Sequence, residues 1–267
     1  MLYKILKRPF FGRFMVKWRN PLSMEQRKKW SGIQADSKSG VSIKGLFAQT
    51  GENMPKATIV LGHPMGKEAK GFFLKNGYTD FLLENGFNVV VFDVNGFGES
   101  DCGNFAYYED ILAMGQKAKE LCNGIPIGYH GVSLGGQWAT IAFTDRSNPF
   151  EFAIIESAAT TLDEFWIHYP VAYRVLKTLN LLMPRFRKKI NMVERIKEAK
   201  NMRSILYIYS ESDQWTPVSM GKRFMENTPV DAELWTVKNA VHAKIITSKY
   251  SDSYKDKVLD FFHKNLD

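Results

Sequence analysis

The sequence has few cysteines, no long apolar run, and no repeated or low-complexity segment. Its 267 residues include two cysteines, Cys102 and Cys122, which excludes a disulfide scaffold and provides no metal-ligand spacing. So few cysteines favour a reducing, cytoplasmic compartment. A secretory signal needs an apolar run of at least about 7 residues and a membrane-spanning helix about 20, and neither pattern occurs.

The composition is that of an ordinary globular protein. Hydrophobic residues make up 45% of the chain and charged residues 24%, which excludes a disordered or collagen-like chain. A length of 267 residues fits one or two domains, and no Gly/Ser-rich linker marks a boundary between two. We therefore expect one main domain, residues 31–267, preceded by an N-terminal arm, residues 1–30.

The net charge of +8 is unevenly distributed along the chain. The N-terminal arm carries nine Lys or Arg and one acidic residue, and residues 171–203 carry ten basic residues and two acidic ones. The remainder holds 17 basic and 25 acidic residues and is therefore acidic. A basic surface suggests an anionic partner, but no nucleic-acid recognition motif accompanies it, so we expect no nucleic acid.

The N-terminal arm interleaves its basic residues with large apolar side chains. Pro9 and Gly12 interrupt any single long helix. Such a segment packs its apolar side on its own domain, lies in the interface of an anionic membrane, or binds a partner. The sequence leaves these three roles open. Contact with an anionic membrane would involve both the arm and the basic segment near residue 185.

Short apolar runs alternate with helical stretches along the rest of the chain. The runs predict strands at 41–49, 57–62, 88–93, 125–130, 152–156, 204–209 and 233–237, with an edge strand at 30–35. The stretches predict helices at 72–84, 108–122, 134–144, 218–226 and 251–265. This alternation predicts an α/β protein with a mostly parallel sheet covered on both faces.

The segment Gly131-Val132-Ser133-Leu134-Gly135 follows a predicted strand and opens a predicted helix. A Gly-x-Ser-x-Gly sequence in this context is typical of a nucleophile elbow, in which the serine hydroxyl stands above the edge of the sheet. The glycines allow strand and helix to approach closely. The pattern predicts a nucleophilic serine at Ser133.

A nucleophilic serine needs a histidine base and a carboxylate that orients it, in the chain order Ser, acid, His. Asp213 follows the predicted strand 204–209, and His242 follows the last predicted strand. Glu211 and Glu156 are the alternative carboxylates. These positions predict a catalytic triad of Ser133, Asp213 and His242.

The oxyanion hole is expected to combine the amide of the residue after the nucleophile with an amide from an earlier loop. The first is Leu134. The loop Gly62-His63-Pro64-Met65-Gly66 follows the strand at 57–62, and Pro64 has no N–H to donate. We therefore assign the second donor to Met65.

The sequence resembles the α/β-hydrolase superfamily from about residue 41 to its end, and is most similar to the small esterase, lipase and thioesterase group that includes serine-aminopeptidase-like hydrolases. The resemblance rests on the elbow at Ser133, the loop at His63, and a turn of the Asp-x-x-Gly-x-Gly-x-Ser type at 93–100. It implies an α/β-hydrolase fold with an eight-stranded sheet. It also implies a short helical cap inserted at about 160–200.

The expected activity is hydrolysis of carboxylic esters or thioesters through an acyl-enzyme, with an apolar acyl group and a small-molecule or lipid-like substrate. We expect the cap and the early loop to supply substrate-pocket residues, namely His63, Trp166, Tyr169 and Tyr173. No metal or organic cofactor is needed for this chemistry.

A peptidase or amidase of the same fold is one alternative, and Asp163 and Glu164 are its candidate amine ligands. A non-catalytic binding protein of this fold is the alternative from another class.

Overall fold

The apolar runs of the sequence form one eight-stranded sheet. The computed structural model of the protein describes residues 2–266, without the side chain of residue 186, so that Met1 and Asp267, the outer limits of the predicted arm and domain, lie outside the described residues. The strands are β1 (Ser31–Ser37), β2 (Val41–Ala48), β3 (Ala57–Gly62), β4 (Phe87–Phe92), β5 (Ile127–Val132), β6 (Phe152–Glu156), β7 (Ser204–Ser210) and β8 (Asp231–Val237).

The sheet order is β1-β2-β4-β3-β5-β6-β7-β8. Strand β2 runs antiparallel to both β1 and β4, and all other neighbours are parallel. Every residue of β3 to β7 is buried, as expected for strands covered on both faces. The prediction of a mostly parallel eight-stranded α/β sheet is confirmed.

Helices cover the two faces of the sheet. They are α1 (Leu2–Phe11), α2 (Met24–Arg27), α3 (Gly71–Lys75), α4 (Tyr78–Glu84), α5 (Tyr107–Leu121), α6 (Leu134–Ala142), α7 (Leu162–Trp166), α8 (Pro170–Leu182), α9 (Pro184–Lys189), α10 (Met192–Arg195), α11 (Val218–Asn227) and α12 (Ser251–Lys264). One face packs against α5, α6 and α11, and the other against α3, α4 and α12. Each face has its own apolar core.

The predicted helix at 72–84 is wrong as a single element. The structure breaks it into α3 and α4 at Gly77, whose φ of 79° is left-handed. A glycine adopts this conformation without a Cβ clash, so the chain turns there.

The segment between β6 and β7 forms α7 to α10 and a short 3-10 turn at Ile196–Glu198. Pro170 begins α8, where a missing amide hydrogen costs nothing. Phe165 and Trp166 of α7 are buried against the main domain. This helical insertion occupies the region for which the resemblance implies a cap.

Helix α1 packs on the domain through two phenylalanines. Phe10 and Phe11 are buried, and the ring centroids of Phe11 lie 5.4 Å from Trp166 and 5.5 Å from Tyr107. Edge-to-face aromatic contacts of this kind add to the free energy of burial. The N-terminal arm is therefore attached to both the insertion and the domain.

Lys7, on the same helix, is wholly buried. Its Nζ donates a hydrogen bond to Asn95 Oδ1 and lies 4.2 Å from the centre of the Tyr107 ring. Asn95 in turn donates from its side chain to Asp110 over 2.6 Å. Burial lowers the pKa of Lys7 to about 8, although Cys102 and Asp110 act in the opposite direction.

None of the helices between residues 2 and 266 is both long and apolar enough to cross a membrane.

We expect Phe11→Ala to lower the free energy of unfolding by about 3 kcal/mol, because it removes a buried ring and leaves a cavity. The matched control is Ile5→Ala in the same helix, where the side chain is 61% exposed. That control should change stability by less than about 0.5 kcal/mol. Urea unfolding measures both, and equal losses would show that α1 does not pack as described.

Candidate active site

Ser133 lies at the sharp turn between β5 and α6. Its backbone φ of 50° and ψ of −109° are unusual for a residue other than glycine. A Cβ on Gly135 would lie 2.1 Å from the Gly62 carbonyl oxygen, and a Cβ on Gly131 would lie 2.6 Å from the Gly136 nitrogen. Both glycines are required by the close approach of the backbones.

The structure brings Ser133, His242 and Asp213 together. The Ser133 Oγ lies 2.9 Å from His242 Nε2, and His242 Nδ1 lies 2.7 Å from Asp213 Oδ2. Asp213 follows β7 and His242 follows β8, so both reach the site from the carboxyl edge of the sheet. This arrangement allows the imidazole to accept the serine proton while the carboxylate holds the proton on Nδ1.

Asp213 is held in place by its own loop. Its Oδ1 accepts hydrogen bonds from the amides of Trp215 (2.9 Å) and Thr216 (3.1 Å), and its Oδ2 accepts one from the Thr216 hydroxyl (2.7 Å). Burial by itself would raise the pKa of Asp213, but the bonds from His242 and Thr216 outweigh it and the pKa is lowered. Thr216 was not identified from the sequence, although a hydroxyl residue three positions after an aspartate is well placed to donate a hydrogen bond to its carboxylate.

The two alternative carboxylates lie elsewhere. Glu211 is exposed. Glu156 is wholly buried and accepts hydrogen bonds from Tyr254 (2.6 Å) and Tyr78 (3.2 Å). The Nε2 atom of His130 lies 3.5 Å from the Glu156 carboxylate and 3.1 Å from the Tyr254 hydroxyl. Neither carboxylate contacts His242.

Met65 and Leu134 lie beside Ser133 and line one narrow space with it. Within residues 2–266, neither backbone amide has a hydrogen-bond acceptor. The amide of Leu134 is free because it belongs to the first turn of α6. Both amides are therefore available to a group at the Ser133 hydroxyl.

His63 lies behind the loop and is wholly buried. Its Nδ1 is 2.8 Å from the Pro64 carbonyl oxygen, and its Nε2 accepts a hydrogen bond from the Val94 amide at 3.2 Å. This pairing places the proton on Nδ1. Carbonyl and amide hydrogen of one trans peptide point in opposite directions, so the bond to Pro64 turns the Met65 N–H away from His63. The predicted pocket residue supports the loop from below.

The turn after β4, whose Val94 amide donates to His63, is built around the buried carboxylate of Asp93. The Asp93 carboxylate accepts hydrogen bonds from the amides of Lys70 and Glu99, both at 2.9 Å. A Cβ on Gly98, whose φ is 52°, would lie 2.2 Å from Asp93 Oδ2. The glycine in this turn therefore allows the chain to wrap around a buried carboxylate.

A cleft of about 340 Å³ opens above Ser133 and His242. Aromatic rings form much of its wall, and Tyr169 stacks on Trp215 with ring centroids 5.3 Å apart. The other lining residues are Phe14, Pro64, Met65, Gly66, Glu68, Ala69, Phe72, Phe165, Ala243 and Lys244. Of the predicted pocket residues, Tyr169 lines this cleft. Tyr173 is half-buried against the core and does not line it.

A second, larger cavity of about 540 Å³ lies between α1, α5 and α8. Its lining is mainly apolar. Four residues separate it from the narrow space beside Ser133, and we call them the aromatic wall: Phe11, Trp138, Leu162 and Trp166. The predicted pocket residue Trp166 therefore lies between the two cavities.

Across residues 2–266, no group of three or more His, Cys, Asp or Glu side chains is arranged to hold a metal ion.

Comparison with known proteins places the chain in a family. The family model described as serine aminopeptidase, S33, matches residues 53–204, which is more than half of the chain and includes Ser133. The uncharacterized protein YqkD of Bacillus subtilis (strain 168) is 26% identical over 259 residues, covering 90% of this chain and 81% of that protein.

Two solved structures show the same fold. The esterase Pf2001 of Pyrococcus furiosus superposes with a TM-score of 0.71 at 18% identity, covering 93% of this chain and 98% of that one. The acylaminoacyl peptidase of Pyrococcus horikoshii superposes with a TM-score of 0.66 at 15% identity, covering 88% of this chain and 41% of that one. With its elbow serine and its eight-stranded sheet, the chain is an α/β-hydrolase that belongs to the serine aminopeptidase S33 family.

Proposed function

We propose that the protein is a serine esterase that cleaves carboxylic esters or thioesters with an apolar acyl group. The observation that carries the proposal is the continuous hydrogen-bonded series from Ser133 Oγ through His242 to Asp213, with distances of 2.9 and 2.7 Å. A serine hydroxyl becomes a useful nucleophile when an oriented imidazole accepts its proton.

The reaction begins when Ser133 Oγ attacks the ester carbonyl carbon and its proton passes to His242 Nε2. The carbonyl oxygen becomes an alkoxide, which accepts hydrogen bonds from the amides of Met65 and Leu134. When the C–O bond of the ester breaks, the leaving alcohol takes the proton from His242. Water then attacks the acyl-enzyme, His242 accepts its proton, and Ser133 regains a proton as the acid leaves.

An apolar acyl group is supported by the surroundings of Ser133. The cleft is lined by rings such as Phe165 and Tyr169, and the larger cavity beyond the aromatic wall is mainly apolar. Pockets of this kind favour hydrocarbon groups.

The acidic residues near the cleft are already paired with cations of the protein, and this favours an ester over a peptide with a free amino terminus. Glu164 pairs with Arg223 at 2.5 Å, and Asp163 lies 3.5 Å from Lys177. Glu68, in the wall of the cleft, pairs with Lys75. Because cations of the protein already accompany these carboxylates, an incoming ammonium group would have to displace one of them.

We expect a fluorophosphonate probe to label the wild-type protein and not Ser133→Ala, because the probe reacts with an activated serine hydroxyl. The control is Ser31→Ala, an exposed serine at the start of the edge strand β1, which should label like wild type. Fluorescence on a denaturing gel measures the labelling. Equal labelling of Ser133→Ala and wild type would refute the proposal.

We expect Asp213→Asn to lower kcat by roughly 10³- to 10⁴-fold with little change in KM, because the amide no longer holds the His242 proton on Nδ1. Glu211→Gln is the matched control and should retain activity. Steady-state hydrolysis of a p-nitrophenyl ester measures both variants. A comparable loss in Glu211→Gln would assign the acid to the wrong residue.

We expect Leu162→Ala to shift the preference among p-nitrophenyl esters toward longer acyl chains. The smaller side chain opens the aromatic wall to about two more methylenes, and at about 0.8 kcal/mol each these raise kcat/KM for long esters roughly tenfold. Leu121→Ala, on the exposed end of α5, is the control. An unchanged chain-length profile would mean that the larger cavity does not receive the acyl chain.

A further inference from the structure

Helix α1 packs on the domain with a charged side chain on its buried side and large aliphatic side chains on its exposed side. Lys7 is wholly buried, whereas Leu2 is 66% exposed and Ile5 61% exposed. Large aliphatic side chains clustered on a surface helix mark a contact with another molecule or with a membrane. The domain itself does not cover this face.

The end of α8 adds to the same surface. Leu181 and Leu182 are 81% and 71% exposed, and α8 contacts α1. Tyr3 of α1 and Met183 after α8 line one cavity, so both helices border its opening. We call the exposed apolar residues of this region the aliphatic patch; it comprises Leu2, Ile5, Leu181 and Leu182.

Unpaired cations accompany the aliphatic patch. Lys4 and Arg8 lie on α1, and Arg185 and Lys188 lie on α9 directly after α8. All four side chains are exposed, and in the described part of the chain none has an acidic partner within 4 Å. Elsewhere in the insertion, Arg195 pairs with Glu198 and Lys197 pairs with Glu194. Lys4, Arg8, Arg185 and Lys188 therefore lie on α1 or directly after α8, the two helices that carry the aliphatic patch, although exposed cations such as Arg174 and Lys200 also lack an acidic partner in the described residues.

We propose that this surface docks the protein on an anionic phospholipid bilayer. Aliphatic side chains enter the acyl boundary while neighbouring lysines and arginines contact the lipid headgroups. A nucleic acid would match the cations and leave the aliphatic patch exposed, and an apolar protein partner would leave the cations unpaired. An anionic bilayer matches both features.

Docking would place the larger cavity against the lipid. Tyr3, Leu6 and Met183 at its opening would face the bilayer, and the aromatic wall at its other end borders the space beside Ser133. An acyl chain of a membrane lipid would then have an apolar route toward the nucleophile. This last step rests on the proposed esterase function, whereas docking itself does not.

The test is co-sedimentation of the full chain with phosphatidylcholine vesicles, with and without about one third phosphatidylserine. Wild type should bind the anionic vesicles and lose binding in high salt. Arg185→Glu/Lys188→Glu should weaken binding at least roughly thirtyfold, because each cation near an anionic surface contributes to it. Ile5→Ser/Leu182→Ser should weaken it roughly tenfold.

Matched controls separate docking from folding and from catalysis. Met54→Ser, an 83% exposed side chain on the loop before β3, and Lys119→Glu on α5 should bind vesicles like wild type. Ile5→Ser/Leu182→Ser should keep the wild-type melting temperature and its activity on a short soluble ester, because neither residue lines a cavity. Ser133→Ala should bind vesicles normally even though it is inactive, so that failure of the esterase proposal leaves this measurement intact.

Three outcomes would overturn the docking proposal. One is equal binding to neutral and anionic vesicles, and another is undiminished binding by both double variants. The third is a dimer of the wild-type chain that Ile5→Ser/Leu182→Ser converts to a monomer without any change in vesicle binding, since a second copy would then cover the aliphatic patch.

Discussion

The approach of the elbow to the end of β3 is the contact on which the rest of the site depends. A Cβ on Gly135 would lie 2.1 Å from the Gly62 carbonyl oxygen, a Cβ on Gly62 would lie 1.8 Å from the Tyr129 hydroxyl, and the Gly135 amide donates to the His63 carbonyl over 3.1 Å. This contact places the Ser133 turn and the Met65 loop against each other. The packed backbone around Ser133 holds this residue at its positive φ of 50°. Ser133 and the two free amides are therefore parts of one packed unit.

Asp213 and His242 are supported in a different way. They lie on loops after β7 and β8, and the parallel pairing of those strands brings the loops to the edge at which Ser133 stands. Hydrogen bonds within the Asp213 loop then fix the carboxylate, and the bond from His242 together with those from Thr216 lowers its pKa despite burial. The buried Glu156 has its own donors, Tyr254 and Tyr78, and does not compete for the imidazole. The sheet provides proximity and the loops provide orientation.

The N-terminal helix connects the basic charge of the sequence to the site. Phe11 belongs both to the core that attaches the helix and to the wall beside Ser133, so the helix contributes to the shape of the apolar cavities. Its position buries Lys7 against Asn95 and leaves Ile5 exposed. In the sequence, the excess of positive charge indicates only an anionic partner. In the structure, part of that charge lies with the aliphatic patch on α1 and at the end of α8, and both helices also line the larger cavity.

The sequence by itself determined the strands, the elbow and the chain order of Ser133, Asp213 and His242, because apolar runs and glycine spacing are local signals. Only the tertiary structure decided the break at Gly77, the support from Thr216 and the place of His63 beneath its loop. It also decided which side of α1 faces inward, since Lys7 is buried while Ile5 is exposed. The physical reason is that Lys7 meets Asn95 and Tyr107, which are far away in the chain, and no local pattern encodes a hydrogen bond between residues so widely separated.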